Sequence, residues 1–509
     1  MRRIVSSMAI VDCKQPGAKI ERTFPDAINP APATVDVVII GGGASGILTA
    51  IHLVKGTNSL LRIAIIESRA ELGKGIAYST TCPEHRLNVV AGRMSAFEAD
   101  PDHFLRYLNR YRTAESSEFP GRGSSCFASR ETYGRYLSQT LDESLITTGC
   151  SLVILRDEVV RISSGETSQI ELASGSRLTS GTVVLAIGNF LREFALGDPV
   201  TEQTHVVKTP WDQGALSHIA SGETVLVLGG GLSMVDAVIE LAARGHTATI
   251  HILSRHGLRP LSHGVPGDVD GIDLAALLAQ SVRGRTRMLR AQARLAQANG
   301  APWQWVMDTI RPHGGTLWAS LDAAEQRRFL RHVSRFWDVH RHRIAPQIAS
   351  QLTVLETEGR LSYHAGHVRD LQAVGSGWQV GFRPKSRDGI ESITVGHVLN
   401  CTGLQTNIER IASPLIRDLL SQGAIRPGPH HLGLDTDSDG RIRDHAGRAN
   451  DRFFALGTLR IGQAWESVAV PELRKQAQAI AAQIIAISHQ TMRIAESAAG
   501  SLAETSWSR

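Results

Sequence analysis

The feature that most constrains this chain is a glycine-rich turn that joins a buried strand to a helix. Residues 35–40, VDVVII, are apolar except for one aspartate, which is typical of a strand buried on both faces of a parallel sheet. Gly41–Gly46 follows and reads G-x-G-x-x-G, and RIAIIES at 62–68 comes after an intervening helical stretch. Together these segments predict a βαβ unit at the start of a doubly wound α/β sheet.

The positions of the glycines fit a turn that approaches a dinucleotide. Gly41 permits the tight turn, Gly43 lets the backbone approach a pyrophosphate, and Gly46 allows the helix to pack closely on the strand. The helix start offers free N–H groups and a partial positive charge to the phosphates. Glu67 ends the second strand, where it can accept hydrogen bonds from the ribose hydroxyls. The predicted contacts of this first site are Gly41, Gly43, Ala44, Ser45, Gly46, Glu67 and Ser68.

A second unit of the same kind begins at ETVLVLGGG, residues 223–231. Its third glycine is replaced by Met234, so we expect looser packing between this helix and its strand. HTATIHILSR at 246–255 is predicted to be the next strand. Two βαβ units in one chain predict two separate nucleotide-binding domains.

The spacing within the two units indicates which nucleotide the second one binds. Glu67 lies 26 residues after Gly41, and Arg255 lies 26 residues after Gly229. A carboxylate at this place would repel the 2′-phosphate of NADPH, whereas an arginine can bind it with a charge-assisted fork. The sequence therefore predicts NADPH rather than NADH at the second site. The predicted contacts are Gly229, Gly231, Leu232, Ser233, Ser254 and Arg255.

Charge and composition exclude several classes of protein. The formal net charge is +5, and arginines cluster at 283–290 and 327–343 on predicted helices. Such runs are usually solvated faces, so we expect no nucleic-acid partner. No apolar run approaches the roughly 18 residues that span a bilayer, and the start of the sequence lacks the apolar core of a secretory signal, so we expect a cytoplasmic protein. None of the five cysteines forms a C-x-x-C pair or a zinc-ligand pattern.

With both turns in place, the chain resembles the bacterial FAD/NAD(P)-binding family of single-chain flavoproteins. These are relatives of the NADPH-dependent flavin monooxygenases, which include N-hydroxylating enzymes. The resemblance runs from about residue 35 to 480. Besides the two turns it rests on ELGKGIAYS at 71–79, HRLNV at 85–89, SRETYGRYL at 129–137, LAIGN at 185–189, SRHGLRP at 254–260, FWDVHRHR at 336–343, NCTG at 400–403 and GTLRIGQAWESVAVPELR at 457–474.

The resemblance implies an α/β fold of two Rossmann-like dinucleotide-binding domains, with the FAD domain split in the sequence. A helical insertion is expected in the second domain, because Phe329, Val333, Phe336 and His340 fall at helical spacing. The predicted organisation is a flexible arm at 1–34, an FAD-binding domain at 35–212 and 400–488, an NADPH-binding domain at 213–399 with the insertion at 265–350, and a flexible tail at 489–509.

The resemblance also implies contacts along the flavin. Gly73, Tyr78 and Asn88 would line it, and Val159 would present backbone to the adenine. Many related flavoproteins have an aspartate where this chain has Thr458, so we expect backbone N–H groups to replace that carboxylate. The remaining assignments are Gly188, Gly403, Gly457 and Ser467 as cofactor contacts, and Trp465 and Glu466 as candidate catalytic residues.

The two cofactors imply redox chemistry on a small molecule. NADPH would pass a hydride to the flavin, and reduced flavin with O₂ would form a C4a-hydroperoxide in a dry pocket. Because the relatives include N-hydroxylating enzymes, we expect a monooxygenase acting at nitrogen on a small polar metabolite, anionic or bearing an amino group. The Baeyer–Villiger fingerprint F-x-G-x-x-x-H-x-x-x-W is missing. Two alternatives stay open: an NADPH-dependent reductase or dehydrogenase without oxygen transfer, and a non-catalytic flavin-binding sensor.

Overall fold

The computed structural model describes residues 19–23, 34–110, 123–163, 165–193 and 205–506, with side chains described between residues 34 and 491. Within them the chain forms two mainly parallel β-sheets with helices on their faces, which confirms the predicted pair of Rossmann-like domains. The helices are α1 (Ala44–Gly56), α2 (His103–Arg110), α3 (Arg130–Ile146), α4 (Leu232–Ala243), α5 (Leu274–Leu278), α6 (Val282–Ala298), α7 (Gln304–Ile310), α8 (Gly314–Ala319), α9 (Ala323–His332), α10 (Ser334–Arg341), α11 (Pro346–Thr357), α12 (Pro414–Ser421) and α13 (Val470–Ser506).

The first sheet is assembled from both ends of the chain. Its strands are β1 (Lys19–Thr23), β2 (Thr34–Ile40), β3 (Arg62–Ile66), β4 (Ser151–Leu155), β5 (Val159–Ser163), β6 (Ser168–Leu172), β7 (Arg177–Leu185), β15 (Arg441–Arg443) and β16 (Ala449–Ala455). They are ordered β1-β4-β3-β2-β7-β16-β15, and the β5–β6 hairpin attaches to β7. Neighbours in that order pair in parallel except β15 and β16. The first domain is therefore discontinuous in sequence.

Strand β2 is buried on both faces, as its apolar sequence predicts. Val37 and Ile39 belong to the core that contains residues of α1, α3 and α13, whereas Val38 and Ile40 belong to the core that contains residues of the β5–β6 hairpin and α12. All four side chains are at most 4% exposed. Each contributes about 1.5–3 kcal/mol by burial. The strand that carries the first glycine turn is thus fixed from two sides.

The second sheet repeats this arrangement around the second glycine turn. Its strands are β8 (Val206–Val207), β9 (Val225–Leu228), β10 (Ile250–Ser254), β11 (Leu361–Val374), β12 (Gly377–Pro384), β13 (Glu391–Val395) and β14 (His397–Asn400), in the order β13-β12-β11-β10-β9-β14-β8. Strand β8 pairs in parallel with β14. Residues 206–207 were predicted to lie in the first domain. They therefore belong instead to the second domain.

The helical insertion of the second domain comprises α5 to α10. Helix α11 is not part of it, because it packs on α4 and leads into β11, which lies parallel to β10. The insertion therefore ends before Pro346 rather than at 350. The apolar residues at helical spacing lie on two helices instead of one, since the backbone breaks at Val333 between α9 and α10.

The two ends of the chain are more regular than predicted. Residues 19–23, assigned to a flexible arm, form β1 and pair in parallel with β4. Helix α13 continues to Ser506, so most of the predicted flexible tail is helical. The rest of the predicted arm and residues 507–509 lie outside the described residues. No helix in the described part of the chain is both long and apolar enough to cross a membrane.

A buried ion pair joins the two domains. Arg130 on α3 lies 2.9 Å from the carboxylate of Asp236 on α4, and both residues are more than 90% buried. The ring of His85 donates to the backbone carbonyl of Asp236 at 2.9 Å, and Arg130 also donates to the carbonyl of Arg86. His263 donates to the carbonyl of Asn88 at 3.0 Å. The HRLNV motif therefore lies at the domain interface.

Removal of Asp236 tests how much the interface contributes to the free energy of unfolding. Asp236→Ala leaves the buried guanidinium of Arg130 without its counter-charge, and we expect the free energy of unfolding to fall by about 3 kcal/mol. Urea denaturation followed by circular dichroism measures the change. Glu131→Ala, which removes an exposed helical partner of Arg135, should change stability by less than about 0.5 kcal/mol. Equal effects of the two substitutions would contradict the role given to the pair.

Candidate functional site

The first glycine turn is held by backbone contacts that leave no room for a side chain. Gly41 has φ +102°, and a Cβ added to it would lie 2.3 Å from the carbonyl oxygen of Ala186. A Cβ at Gly46 would lie 1.9 Å from the carbonyl oxygen of Gly41. Helix α1 begins directly after Gly43, so its first N–H groups point out of the turn. The positions of Gly41 and Gly46 thus require glycine for the packing reasons that the sequence predicts.

Glu67 fixes the turn from the end of β3. One carboxylate oxygen accepts a hydrogen bond from the N–H of Gly42 at 2.8 Å, and the other accepts one from the N–H of Arg69 at 2.9 Å. Each oxygen of an ionised carboxylate can accept further hydrogen bonds. The group is therefore positioned at the turn and keeps acceptor capacity for a ribose.

A cavity of about 380 Å³ opens beside this turn. A Cβ at Gly188 would meet no atom within 4 Å, so this glycine faces open space. Across the cavity the hydroxyl of Thr458 contacts the side-chain oxygen of Asn189, which gives Thr458 a neutral partner at the place where related proteins carry an aspartate. The predicted contact residues that line this cavity are Gly41, Gly43, Ala44, Ser45, Glu67, Ser68, Tyr78, Val159, Gly188 and Gly457.

Three predicted contacts of the flavin lie elsewhere. Gly73 is a packing glycine, since its added Cβ would lie 2.8 Å from the carbonyl oxygen of Gly134 on α3. Asn88 lies at the domain interface described above. Ser467 is 1% exposed, and its carbonyl accepts a hydrogen bond from Gln476. Residues that line the cavity but were not predicted include Lys74, Asn189 and Thr458.

A second cavity, of about 650 Å³, opens at the second glycine turn. Gly229 has φ +112°, and an added Cβ would lie 2.1 Å from the carbonyl oxygen of Cys401, which repeats the contact between Gly41 and Ala186. Added Cβ atoms at Gly231 and Gly403 would meet nothing within 4 Å. Met234, for which looser packing was expected, is fully buried in the core of this domain. All of the predicted residues line this cavity: Gly229, Gly231, Leu232, Ser233, Ser254, Arg255 and Gly403.

Three guanidinium groups converge on the second cavity. Arg255 is joined there by Arg192 and by Arg335 of the insertion. Partial burial lowers the pKa of Arg255, and the charges of Arg335 and Arg192 lower it further. Of the three, only Arg335 has an ion-pair partner among the described residues, Asp338 at 3.3 Å. This excess of guanidinium groups over carboxylate partners favours an anionic ligand such as a 2′-phosphate. Sequence reasoning missed Arg192 and Arg335 because they lie far from Arg255 in the chain.

A third cavity, of about 370 Å³, lies within the helical insertion and is mainly apolar. Helix α10 separates it from the second cavity: Phe336 and Trp337 line the third cavity, whereas Arg335 and Asp338 line the second. Burial raises the pKa of Asp338 to about 6. The insertion therefore supplies one wall to each of two neighbouring cavities.

The candidate catalytic pair joins this insertion to the late segment of the first domain. Trp465 lines the third cavity and stacks on Trp318, with ring centroids 5.2 Å apart. Glu466 does not line any of the three cavities; its carboxylate accepts a hydrogen bond from Trp337 at 2.7 Å and pairs with Arg341 at 2.6 Å. The geometry favours a structural role for Glu466, since both oxygens are already engaged.

The run His340–Arg343 ends the arginine cluster that was expected to be a solvated face, but both of its arginines are buried. Arg341 and Arg343 are at most 5% exposed, because they pair with Glu466 and Asp308. His342 lines the second cavity, and burial lowers its pKa to about 4, so it is neutral at pH 7. The motif therefore anchors the insertion, and only His340 and His342 of the run reach a cavity.

The described cysteines do not form a redox pair. Cys82, Cys126, Cys150 and Cys401 form no disulfide with one another. Burial raises the pKa of Cys401, which lines the second cavity, and so keeps it protonated. No cluster of potential metal ligands is found in the part of the chain that the structure describes.

Substitution of the arginine cluster tests the nucleotide preference of the second cavity. Arg255→Ala and Arg335→Ala should each raise the Michaelis constant for NADPH about 10-fold or more, because a hydrogen bond to a charged group contributes about 1.5–3 kcal/mol. The constant for NADH should stay nearly unchanged. Arg331→Ala, at an exposed position on α9, is the matched control. Equal changes for both nucleotides would contradict 2′-phosphate recognition.

Substitution of Glu67 tests the first cavity. Glu67→Ala removes the acceptor that fixes the turn and could bind the ribose, so we expect affinity for FAD to fall about 10-fold or more. Titration of the apoprotein with FAD measures this change. Glu143→Ala removes an exposed carboxylate of α3 that pairs with Arg110, away from the cavity, and should leave the affinity unchanged. Full flavin retention in Glu67→Ala would show that the turn is held without this carboxylate.

Comparisons with known proteins agree with this geometry. Residues 38–190 match a family model described as FAD-NAD(P)-binding, and no curated protein sequence matches the chain. The fold is similar to that of the FAD-bound cadaverine monooxygenase DfoA of Erwinia amylovora (12% identity, TM-score 0.60, covering 89% of this chain and 95% of that one). It is also similar to the fold of L-lysine 6-monooxygenase of Pseudomonas syringae, with 17% identity and a TM-score of 0.59 over 88% of this chain and 99% of that one. Bacillithiol disulfide reductase of Bacillus cereus is similar as well, with 15% identity and a TM-score of 0.50 over 89% of this chain and 99% of that one. Residues 38–190 therefore match the FAD-NAD(P)-binding family, and over 88–89% of its length the chain shares the fold of these solved structures.

Proposed function

We propose that this protein is an FAD-dependent, NADPH-consuming monooxygenase that transfers one oxygen atom of O₂ to nitrogen of a small molecule. The observation that carries the proposal is the third cavity, which is bordered by segments that also line both nucleotide cavities. Gly457 and Val468 line the first cavity, and Trp465 between them lines the third. Leu261 lines the third cavity and Pro260 the second. A chamber next to the nucleotide cavities offers a place for the small molecule that the reaction modifies.

The residues of the first cavity fit FAD. The turn offers backbone N–H groups at a helix start to a pyrophosphate, Glu67 offers a fixed carboxylate to a ribose, and Gly188 leaves space that a side chain would fill. When bound, FAD accepts a hydride from NADPH and in its reduced form activates O₂. For an amine the balanced reaction is R–NH₂ + O₂ + NADPH + H⁺ → R–NHOH + H₂O + NADP⁺.

The protein's own part in this reaction is to position the reactants and exclude water. Arg192, Arg255 and Arg335 would hold the 2′-phosphate of NADPH. Glu466 acts as a positioning residue, since its bonds to Trp337 and Arg341 hold the insertion against the late segment of the first domain. Trp465, in the wall of the third cavity, would contact the substrate. A dry chamber protects reactive oxygen species from reaction with water.

Analogy of fold favours oxygen transfer to nitrogen. An ornithine N-hydroxylase of Kutzneria has a similar fold, as do the cadaverine monooxygenase and the L-lysine 6-monooxygenase. Fold likeness gives only an analogy of function, and the choice of nitrogen rests on that analogy.

The second candidate is an NADPH-dependent reductase of a small molecule. The observation that favours it is the similar fold of bacillithiol disulfide reductase. A reductase that exchanges electrons with a thiol pair of its own needs two neighbouring cysteines, whereas this sequence has no C-x-x-C pair and no disulfide joins the four described cysteines. The reductase alternative is therefore a hydride or electron transfer to a small molecule in the third cavity.

Stopped-flow absorbance separates the two candidates. The FAD-loaded protein is reduced with NADPH and mixed with O₂. A monooxygenase should pass through a long-lived intermediate spectrum before oxidised flavin returns, and ¹⁸O from ¹⁸O₂ should appear in the product. Direct return to oxidised flavin, with and without amines, together with release of H₂O₂ in a 1:1 ratio to NADPH consumed, would overturn the monooxygenase proposal.

A further inference from the structure

The walls of the third cavity are built from large apolar rings and aliphatic chains. Six aromatic side chains line it: Trp303, Trp318, Phe329, Phe336, Trp337 and Trp465. Aliphatic residues of α6 and α7, such as Leu289, Val306 and Met307, also line it. A volume of about 370 Å³ lies within the range of roughly 300–1,000 Å³ seen for small-molecule sites. The cavity can therefore hold a small molecule whose apolar part is the size of an aromatic ring.

None of the described residues that line this cavity is acidic. Glu325 and Glu466 lie on elements next to it, but Glu325 pairs with Arg328, and Glu466 pairs with Arg341. Neither carboxylate reaches the lining. A cationic amine inside the cavity would therefore find no counter-charge.

The cations of the lining are Arg285 and Arg290, and they differ in their surroundings. Arg285 is 7% exposed, and its guanidinium donates to the backbone carbonyls of Gln280, Leu278 and Leu317. It therefore keeps its positive charge but has few N–H groups left for a ligand. Arg290 is exposed, which places it at the mouth of the cavity together with exposed Gln297. Both cations disfavour a second positive charge nearby.

The balance of energies also disfavours an ammonium group. Transfer of an ion from water to a protein interior costs several kcal/mol. Cation–π contacts with the aromatic rings would return about 2 kcal/mol when desolvated, and the charge of Arg285 subtracts from that gain. A neutral amine avoids the desolvation cost. Its nitrogen also keeps the lone pair that it needs to accept an oxygen atom.

We infer that the substrate is an apolar, weakly basic amine of the aromatic type, uncharged at neutral pH, rather than an alkyl diamine or a basic amino acid. This inference rests on the proposed function and names its substrate class. An apolar amine differs from the small polar metabolite that was expected from the sequence. The sequence pattern did not indicate the apolar lining of the insertion.

Two isomeric probes test the charge preference directly. 4-Ethylaniline and 4-methylbenzylamine have the same formula and nearly the same shape, but at pH 7.5 the first is neutral and the second is protonated. Isothermal titration calorimetry on the oxidised, FAD-loaded protein without NADPH measures binding independently of turnover. We expect 4-ethylaniline to bind at least 10-fold more tightly. Equal or tighter binding of 4-methylbenzylamine would overturn the inference.

Matched tryptophan substitutions test the location. Ala293→Trp on α6 fills the cavity and should weaken binding of 4-ethylaniline at least 10-fold, whereas Ala291→Trp introduces the same side chain at an exposed position of the same helix and should change nothing. Should Ala293→Trp fail to fold, Met307→Phe narrows the cavity from α7 and should weaken the binding in the same direction. Undiminished binding in a folded, FAD-loaded cavity variant would overturn the assignment.

The outcomes distinguish this inference from the proposed function. If oxygen transfer is never observed but the neutral probe binds selectively in the cavity, the monooxygenase proposal fails and the ligand class stands. If ¹⁸O enters an alkyl diamine or a basic amino acid and not 4-ethylaniline, the monooxygenase proposal stands and the substrate class is overturned.

Discussion

The close approach of backbone to backbone at the two glycine turns is the constraint on which the site depends. Gly41 lies against the carbonyl of Ala186, and Gly229 lies against that of Cys401 in the same way. Any Cβ at these positions would push the turn away from the neighbouring strand end and close the space for a nucleotide. Both cavities therefore open at the carboxyl ends of their parallel strands, where α/β sheets commonly bind ligands.

The helical insertion encloses a third chamber next to the second nucleotide cavity. Its helix α10 presents charged residues to the second cavity and aromatic residues to the third. The ion pair of Glu466 with Arg341 fixes this helix to the late segment of the first domain, whose residues also line the first cavity. Burial of such a pair stabilises mainly by avoiding an unpaired charge, so it specifies the position of the insertion more than it adds stability.

Much of the fold and of the nucleotide sites could be predicted because their signals are local. An apolar run, a glycine turn and a residue at a fixed distance lie within about 30 residues of one another in a βαβ unit. Gly73, Asn88 and Ser467 do not line the first cavity, because the family motifs containing them also serve the domain interface and helix packing. Arg192 and Arg335 were missed because cations from three distant segments converge only in the folded chain.

The sequence by itself determined the two βαβ units, their turns and the charge at the end of each second strand. Backbone geometry at a glycine turn is decided by neighbouring residues, so local pattern suffices there. Only the tertiary structure decided that Arg341 and Arg343 are buried, that β1 extends the first sheet, and that the insertion encloses an apolar chamber whose described lining has no carboxylate. Burial and the pairing of charges depend on which surfaces pack together, and that packing is determined by contacts between residues far apart in the chain.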